Sequence, residues 1–109
     1  MRVIGINTCS TCRQAMKDLA ADGKDPAFID LRKDGFPDAL LADVLAAFGN
    51  RAVNRASATW RGLDEAERSR PPQDLLADYP ALLKRPAILA ETGNTLGWKE
   101  DAQTAHLGK

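Results

Sequence analysis

The chain has 109 residues, of which 44% are hydrophobic and 28% are charged, and these values are ordinary for one globular domain spanning residues 1–109. Fifteen basic and 15 acidic residues give a formal net charge of zero, which argues against direct nucleic acid binding through bulk charge. The sequence has neither an apolar run near the roughly 20 residues of a membrane span nor the apolar core of a signal peptide, so we expect a cytoplasmic protein.

The first third of the chain predicts a strand, a helix and a second strand. β-Branched residues at 2–6 indicate a short buried strand. Apolar residues then recur at helical spacing from Ser10 onwards, and Gly23 is typical of the residue that follows a helix. A second apolar strand is predicted at 26–31. Together these elements have the size of a parallel βαβ unit.

The middle of the chain, about residues 37–84, predicts helices. An apolar stripe from Leu40 to Phe48 lies on one face of an amphipathic helix, and we expect this stripe in the core. A loop with one turn of helix is predicted at 51–62, followed by a short helix at 64–67. Leucines between positions 75 and 83 recur at helical spacing, with one interrupting proline.

The end of the chain predicts two strands and a helix. Strands at 86–90 and 95–98 flank a turn of about four residues at 91–94, which indicates a hairpin. A weakly patterned helix is expected at 99–107, with His106 exposed and without a role. The order βαβ, helices, ββα favours an α/β, thioredoxin-like fold: a four-stranded mixed sheet with a helical insertion between its halves.

The run CSTC at residues 9–12 lies where the first predicted strand ends and the first helix begins. Unpaired N–H groups and the macrodipole at a helix N-terminus favour an anion, so the Cys9 thiol loses its proton more easily. Cys12 lies about one turn further along, close enough to attack a mixed disulfide formed on Cys9, and Arg13 adds positive charge nearby. The motif predicts Cys9 as nucleophile and Cys12 as resolving thiol in thiol–disulfide exchange.

Two other interpretations of the cysteines are less favoured. Two cysteines and His106 are too few for a closed, four-ligand zinc site within one chain, so we expect no metal. The other interpretation is that both cysteines are half-buried structural residues that take part in no reaction. Their spacing and their position at the junction of strand and helix would then be a coincidence.

Several motifs together resemble the arsenate reductase (ArsC) and Spx-like family. The motifs are the run Cys9–Arg13 and the run Lys84-Arg85-Pro86 before a late strand. Residues 54–63, which end in TWRGL, are similar to a run of the family's YffB-like branch. The resemblance covers about residues 1–100 and implies a thioredoxin fold with a helical insertion.

The resemblance implies roles at matched positions. Cys9 matches the family's nucleophile, and Cys12 matches the second thiol of the dithiol, Spx-like members. Arg13 matches an arginine that positions an anion, and Arg85 matches an active-site arginine. Pro86 matches the cis-proline that faces the reactive cysteine and positions backbone groups for an extended substrate.

Arg61 is the last site residue that we predict. Arg61 follows Trp60, on whose ring a guanidinium could stack. We expect Arg61 to join Arg13 and Arg85 in a positive pocket suited to a carboxylate-bearing thiol such as glutathione. Trp60 and Trp98 are expected mainly to pack.

Three functions are open, and the first is favoured. The first is a thiol–disulfide oxidoreductase coupled to glutathione, which acts on glutathione or small disulfides and needs no bound cofactor. The second is an arsenate reductase that uses glutathione or glutaredoxin. It is disfavoured because an oxyanion needs several positive donors and the chain has no arginine after the third strand. The third is an Spx-like, redox-switched regulator that binds RNA polymerase.

Overall fold

The computed structural model describes residues 1–107, in which a sheet carries helices on both faces. The strands are β1 (Arg2–Gly5), β2 (Ala27–Asp30), β3 (Ala87–Ala90) and β4 (Gly93–Leu96). The helices are α1 (Ser10–Ala21), α2 (Leu31–Asp34), α3 (Asp38–Phe48), α4 (Ala58–Arg61), α5 (Glu65–Arg68), α6 (Pro72–Asp78) and α7 (Glu100–Leu107). Short 3-10 turns lie at Gly49–Ala52 and Pro80–Leu82. Within residues 1–107 we find no helix of the length and apolar character that crossing a membrane requires.

The sheet has the strand order β2-β1-β3-β4. β1 and β2 are parallel and are connected through α1, whereas β1 pairs antiparallel with β3 and β3 pairs antiparallel with β4. The predicted α/β fold, with a four-stranded mixed sheet and helices between its βαβ and ββα halves, is thereby confirmed.

Alternation along β1 divides the core between the two faces of the sheet. Successive side chains of a strand point to opposite faces, and Val3 and Ile4 are both fully buried. Val3 belongs to a cluster with Leu19 of α1 and Ala102 of α7. Ile4 belongs to a second cluster with Val44 of α3. The sheet is therefore covered by α1 and α7 on one face and by the helices between β2 and β3 on the other.

The helices between β2 and β3 form what we call the helical segment, residues 31–82. Four residues of the predicted apolar stripe on α3 are buried: Leu40, Leu41, Val44 and Phe48. The segment is also tied to the chain just before β3. Val53 and Leu83 form an isolated antiparallel bridge, and the N–H of Asn54 donates to the carbonyl of Leu82 at 2.7 Å.

The β3–β4 hairpin is tighter than the sequence predicts. Ala90 pairs with Gly93, so the loop contains only residues 91–92 rather than 91–94. Gly93 has φ of 134°, a conformation that glycine adopts without strain, and this lets the chain rejoin the ladder early. β4 accordingly ends at Leu96, and Trp98 lies outside the strand.

The expectation that His106 is exposed is wrong. His106 is fully buried, and its two ring nitrogens lie 2.7 Å from the hydroxyl of Thr92 and 2.9 Å from that of Thr95. These hydrogen bonds connect α7 to the β3–β4 hairpin, a long-range pairing that local sequence pattern does not report. Burial lowers the pKa of His106 below its ordinary value.

We predict that acidification destabilises the protein through His106. Because the pKa of His106 is lower in the folded state, the unfolded chain binds the proton more tightly. The free energy of unfolding is therefore highest above about pH 6.5, the pKa of the unfolded chain, and it decreases as the pH falls below that value. His106 is the chain's only histidine. In His106→Gln, whose side chain can still hydrogen-bond, the free energy of unfolding should therefore change less with pH between about pH 7 and about pH 5. Urea unfolding midpoints of both proteins measure this. If the urea midpoints of the two proteins changed equally with pH, His106 would not be the source of the acid destabilisation.

Candidate active site

Cys9 occupies the N-cap position of α1. Its backbone is extended, with φ of −78° and ψ of 117°, and the side chain is half-buried. The N–H of Cys9 donates to the carbonyl of Ile6 at 3.0 Å, and its own carbonyl accepts from the N–H of Arg13 at 3.1 Å. This conformation leaves the sulfur facing the N–H groups of Thr11 and Cys12, which helix geometry leaves without partners inside the helix.

The surroundings of Cys9 favour its thiolate. Burial by itself raises the pKa of Cys9, but the nearby N–H and thiol of Cys12 favour the thiolate and oppose that effect. The positive charge of Arg85 and the N–H of Thr11 act in the same direction as those groups. The net result is a pKa of Cys9 below the ordinary value, which is the property of a reactive cysteine.

Cys12 has the opposite protonation behaviour. It is fully buried in the first turn of α1, and burial is the main reason that its pKa rises to about 12. The hydrogen bond to Cys9 and the negative charge there raise it further. The two free thiols therefore form a pair in which protonated Cys12 donates to the Cys9 thiolate. In residues 1–107 no three His, Cys, Asp or Glu side chains come together as metal ligands would.

Gly5 makes room for the buried thiol. A Cβ atom built on Gly5 would collide with Sγ of Cys12 and would also touch the ring of Phe28. A glycine at this point of β1 lets the first turn of α1 lie directly against the strand. Sequence reasoning missed this residue because a glycine in a short strand has no pattern that indicates which side chain packs on it.

Arg85 and Pro86 precede β3 and lie beside the cysteines. Arg85 is half-buried, and its charge lowers the pKa of both Cys9 and Cys12. Pro86 is buried, and the Arg85–Pro86 peptide bond is cis, the geometry that the family resemblance implies. Arg85 is thus the arginine that the structure couples electrostatically to the thiols.

Arg13 and Arg61 have other partners. The Nε of Arg13 donates to the carbonyl of Asn7 at 2.9 Å, and Arg13 lines a small pocket that Cys12 also lines. A guanidinium nitrogen of Arg61 donates to the carbonyl of Ala56 at 2.8 Å, within the helical segment. A common pocket of Arg13, Arg61 and Arg85 stays a prediction.

Both tryptophans pack against neighbouring side chains. The guanidinium groups over the Trp60 ring are those of Arg55, at 5.4 Å from the ring centroid, and Arg68, at 5.7 Å. Trp98 is buried, and its Nε1 donates to a carboxylate oxygen of Asp18 at 2.8 Å. The latter bond links the chain after β4 to α1.

A cleft of about 570 Å³ opens next to the cysteine motif. We call it the lysine cleft, and the lining residues that bear on its chemistry are Thr11, Asn54, Lys84, Arg85, Lys99 and Asp101. They come from α1, the helical segment, the turn before β3 and the start of α7. Sequence reasoning named Arg85 in a binding role but missed Lys99 and Asp101, since no local spacing connects them to the motif.

The sequence profile described as the ArsC family matches residues 4–105, which is nearly the whole chain. An uncharacterised protein of Haemophilus influenzae is 35% identical in an alignment of 103 residues that covers 90% of this chain and 90% of that protein. The solved structure of a protein named YFFB has 29% identity, covers 97% of both chains and has a TM-score of 0.83. An arsenate reductase (ArsC) related protein from Brucella melitensis has 30% identity and a TM-score of 0.72, and covers 94% of this chain and 89% of its own.

We predict that Arg85→Gln raises the pKa of Cys9, because it removes the guanidinium charge that stabilises the thiolate. The rate of Cys9 alkylation at neutral pH should fall, whereas Arg85→Lys should retain much of it. Alkylation with iodoacetamide as a function of pH, with peptide mass spectrometry for each cysteine, measures this. Arg13→Gln is the matched control, since Arg13 bonds to Asn7 instead; an equal effect of both glutamine variants would contradict the special role of Arg85.

Gly5→Ala should destabilise the protein by about 1–3 kcal/mol, the usual cost of overpacking a core. The added methyl group would displace the Cys12 sulfur from its place against β1. Urea unfolding measures the loss of stability, and the Cys12→Ala background is the control because it removes the colliding sulfur. If Gly5→Ala costs the same free energy with and without that sulfur, the steric explanation is wrong.

Proposed function

Because the chain belongs to the ArsC family, we propose that it acts as a thiol–disulfide oxidoreductase with Cys9 as nucleophile and Cys12 as resolving thiol. The observation that supports this most strongly is the opposite shift of the pKa values of two cysteines that lie three residues apart, at the N-cap and in the first turn of α1. Cys9 has a lowered pKa, and burial raises the pKa of Cys12 to about 12. A half-buried thiolate beside a fully buried, protonated thiol is the arrangement that two-step disulfide exchange needs.

In the first step, the Cys9 thiolate attacks one sulfur of a substrate disulfide. A bond forms between Cys9 Sγ and that sulfur, the substrate S–S bond breaks, and the departing thiolate takes a proton from solvent. The N–H groups of Thr11 and Cys12 favour the negative charge on the attacking sulfur until the bond forms. We propose that Arg13 and Pro86 contribute to substrate positioning.

In the second step, Cys12 attacks Cys9 Sγ in the mixed disulfide. A Cys9–Cys12 disulfide forms, and the proton of Cys12 goes to the second departing thiolate. The negative charge on Cys9 raises the pKa of Cys12 in the reduced protein, and this charge disappears once Cys9 is in the mixed disulfide. The pKa of Cys12 therefore falls when its attack is required. The substrate has then gained two electrons from the two cysteines.

Glutathione is the reductant that we propose for the next turnover. One glutathione thiolate attacks the Cys9–Cys12 disulfide at Cys9, and a second attacks the resulting mixed disulfide. Each glutathione loses one electron, glutathione disulfide leaves, and both cysteines return to the thiol state. No bound cofactor takes part, and the reaction takes place in the cytoplasm.

Arsenate reduction is a second candidate, since one similar structure is that of an arsenate reductase related protein. A tetrahedral oxyanion is bound best by several charge-assisted hydrogen bonds. Arg85 is available for this near Cys9, but Arg13 and Arg61 already donate to backbone carbonyls. Of these three arginines only Arg85 acts on the charge of Cys9, and a single arginine binds an oxyanion less well than several, so we favour a disulfide over arsenate.

We expect Cys9→Ser to abolish disulfide reduction and Cys12→Ser to stop the reaction at the mixed disulfide. Reduced protein is mixed with bis(2-hydroxyethyl) disulfide and analysed by mass spectrometry. The wild type should lose two hydrogen atoms as its internal disulfide forms, Cys12→Ser should retain the adduct on Cys9, and Cys9→Ser should not change in mass at neutral pH.

Two results would count against this mechanism. If the Cys9→Ser variant formed an adduct on Cys12 at the wild-type rate, Cys12 and not Cys9 would be the nucleophile. Arsenate-dependent oxidation of glutathione, together with no reaction of the wild type with disulfides, would favour the arsenate reductase.

A further inference from the structure

A small pocket opens between α1 and β2, and we call it the back pocket. Its volume is about 300 Å³, and its lining residues are Asn7, Cys12, Arg13, Met16 and Phe28. Other residues line the lysine cleft, so the two openings beside the cysteine motif are separate. Phe28, Met16 and the buried Cys12 give the back pocket a mainly apolar surface.

Phe28 lies close to the sulfur of Cys12. Phe28 is the partner of Val3 in the β1–β2 ladder and packs on the same side of the sheet as α1. A Cβ atom built on Gly5 would collide with Sγ of Cys12 and would lie 3.6 Å from Cε1 of Phe28. The aromatic ring and the thiol therefore approach each other next to the same residue of β1.

Met16 borders the thiol from the helix side. It lies four residues after Cys12 on α1, and side chains at this spacing share one face of a helix. Met16 and Phe28 are both half-buried and pack against the cluster that contains Val3. Cys12 is fully buried although it lines the pocket. Two half-buried apolar side chains therefore border the approach to Cys12 from the side of β2.

An apolar border beside this sulfur affects its chemistry. A thiol is a nucleophile only as the thiolate, and burial is the main reason that the pKa of Cys12 rises to about 12. Side chains that exclude water next to the sulfur disfavour its ionisation. The same side chains obstruct the approach of an external reagent. Cys9 is less buried than Cys12, so it reacts first.

We propose that Phe28 and Met16 are positioning residues that keep water and external disulfides away from Cys12, so that its sulfur attacks the mixed disulfide on Cys9 first. In that step the Cys9–Cys12 bond forms, the bond between Cys9 and the substrate sulfur breaks, and the substrate leaves with the proton of Cys12. This inference rests on the proposed function. It assigns a role to two residues outside the cysteine motif that act through Cys12.

The first test measures how accessible and how ionised Cys12 is. In a Cys9→Ser background, alkylation of Cys12 by iodoacetamide is followed as a function of pH by peptide mass spectrometry. Phe28→Ala should accelerate alkylation about tenfold at about pH 8, because water that enters beside the sulfur stabilises its thiolate. Phe28→Leu, which retains much of the apolar volume, should stay within about threefold of the background rate.

Ile29→Ala is the matched control for the truncation of Phe28. Ile29 is the next residue of β2, is also half-buried, and packs against the core on the opposite face of the sheet. Its truncation should lower stability but leave alkylation of Cys12 within about twofold of the background rate. Equal acceleration by both alanine variants would overturn the proposal, since it would indicate general loosening of the sheet. Unchanged alkylation in Phe28→Ala would overturn it too.

Met16→Ala tests the border from the helix side without a change in the sheet. Alanine is favourable in a helix, so α1 should keep its structure. Alkylation of Cys12 should rise by about threefold, since the methionine side chain excludes water less completely than an aromatic ring. Lys17→Ala is the control, because Lys17 is the next residue and is exposed. An effect of Met16→Ala no larger than that of Lys17→Ala would overturn the role of Met16.

The second test follows the resolving step. Proteins with both cysteines are mixed with bis(2-hydroxyethyl) disulfide and quenched in acid, and the mixed and internal disulfides are distinguished by mass. Phe28→Ala should form the mixed disulfide within about twofold of the wild-type rate and resolve it about tenfold faster at neutral pH, because more of Cys12 is thiolate. Slower resolution would overturn the proposal, since Phe28 would then hold Cys12 in place instead of excluding water.

The two tests separate this inference from the function on which it rests. If the wild type reacts with no disulfide but Phe28→Ala accelerates alkylation of Cys12, the proposed function fails and the shielding of Cys12 stands. If the wild type forms the mixed and internal disulfides but Phe28→Ala changes neither alkylation of Cys12 nor the resolving step, the shielding fails alone.

Discussion

The packing of Cys12 against β1 is the contact on which the site depends. Its sulfur fills the space that a side chain on Gly5 would occupy, and further along α1 Ala15 and Leu19 are buried on the same side of the sheet. These contacts fix the rotation and the height of α1 on the sheet. Cys9, three residues earlier, is thereby placed at the edge where β1 ends, outside the core but still facing the first turn of the helix.

The pKa values of Cys9 and Cys12 shift in opposite directions because burial and hydrogen bonding compete at the start of α1. For Cys12 burial dominates, and its thiol stays protonated. For Cys9 the N–H groups of the helix terminus and the charge of Arg85 outweigh partial burial. Each residue strengthens the other's state, since a protonated Cys12 donates a hydrogen bond and a charged Cys9 accepts it. In the proposed mechanism, the order of the two steps therefore follows from where α1 begins.

The parts of the fold that depend on local pattern could be predicted from the sequence, and those that depend on distant partners could not. The helix that starts within the CSTC run, the apolar stripe of α3 and the mixed sheet follow from periodicity and from residues at element ends. The burial of His106 requires hydroxyl groups on the β3–β4 hairpin. The place of Lys99 beside Arg85 requires the order of β3 and β4 in the sheet, and no spacing along the chain indicates it.

The helical segment does more than cover one face of the sheet. Through the bridge between Val53 and Leu83 it holds the backbone that immediately precedes Arg85, and through Asn54 it forms part of the cleft beside Cys9. A change in the packing of α3 or α6 would therefore move the cationic wall of the cleft relative to the sulfur, while leaving the cysteine motif in place on the opposite face. Because Arg85 lines this cleft and its charge also lowers the pKa of Cys9, the packing of the helical segment influences both the shape of the cleft and the reactivity of Cys9.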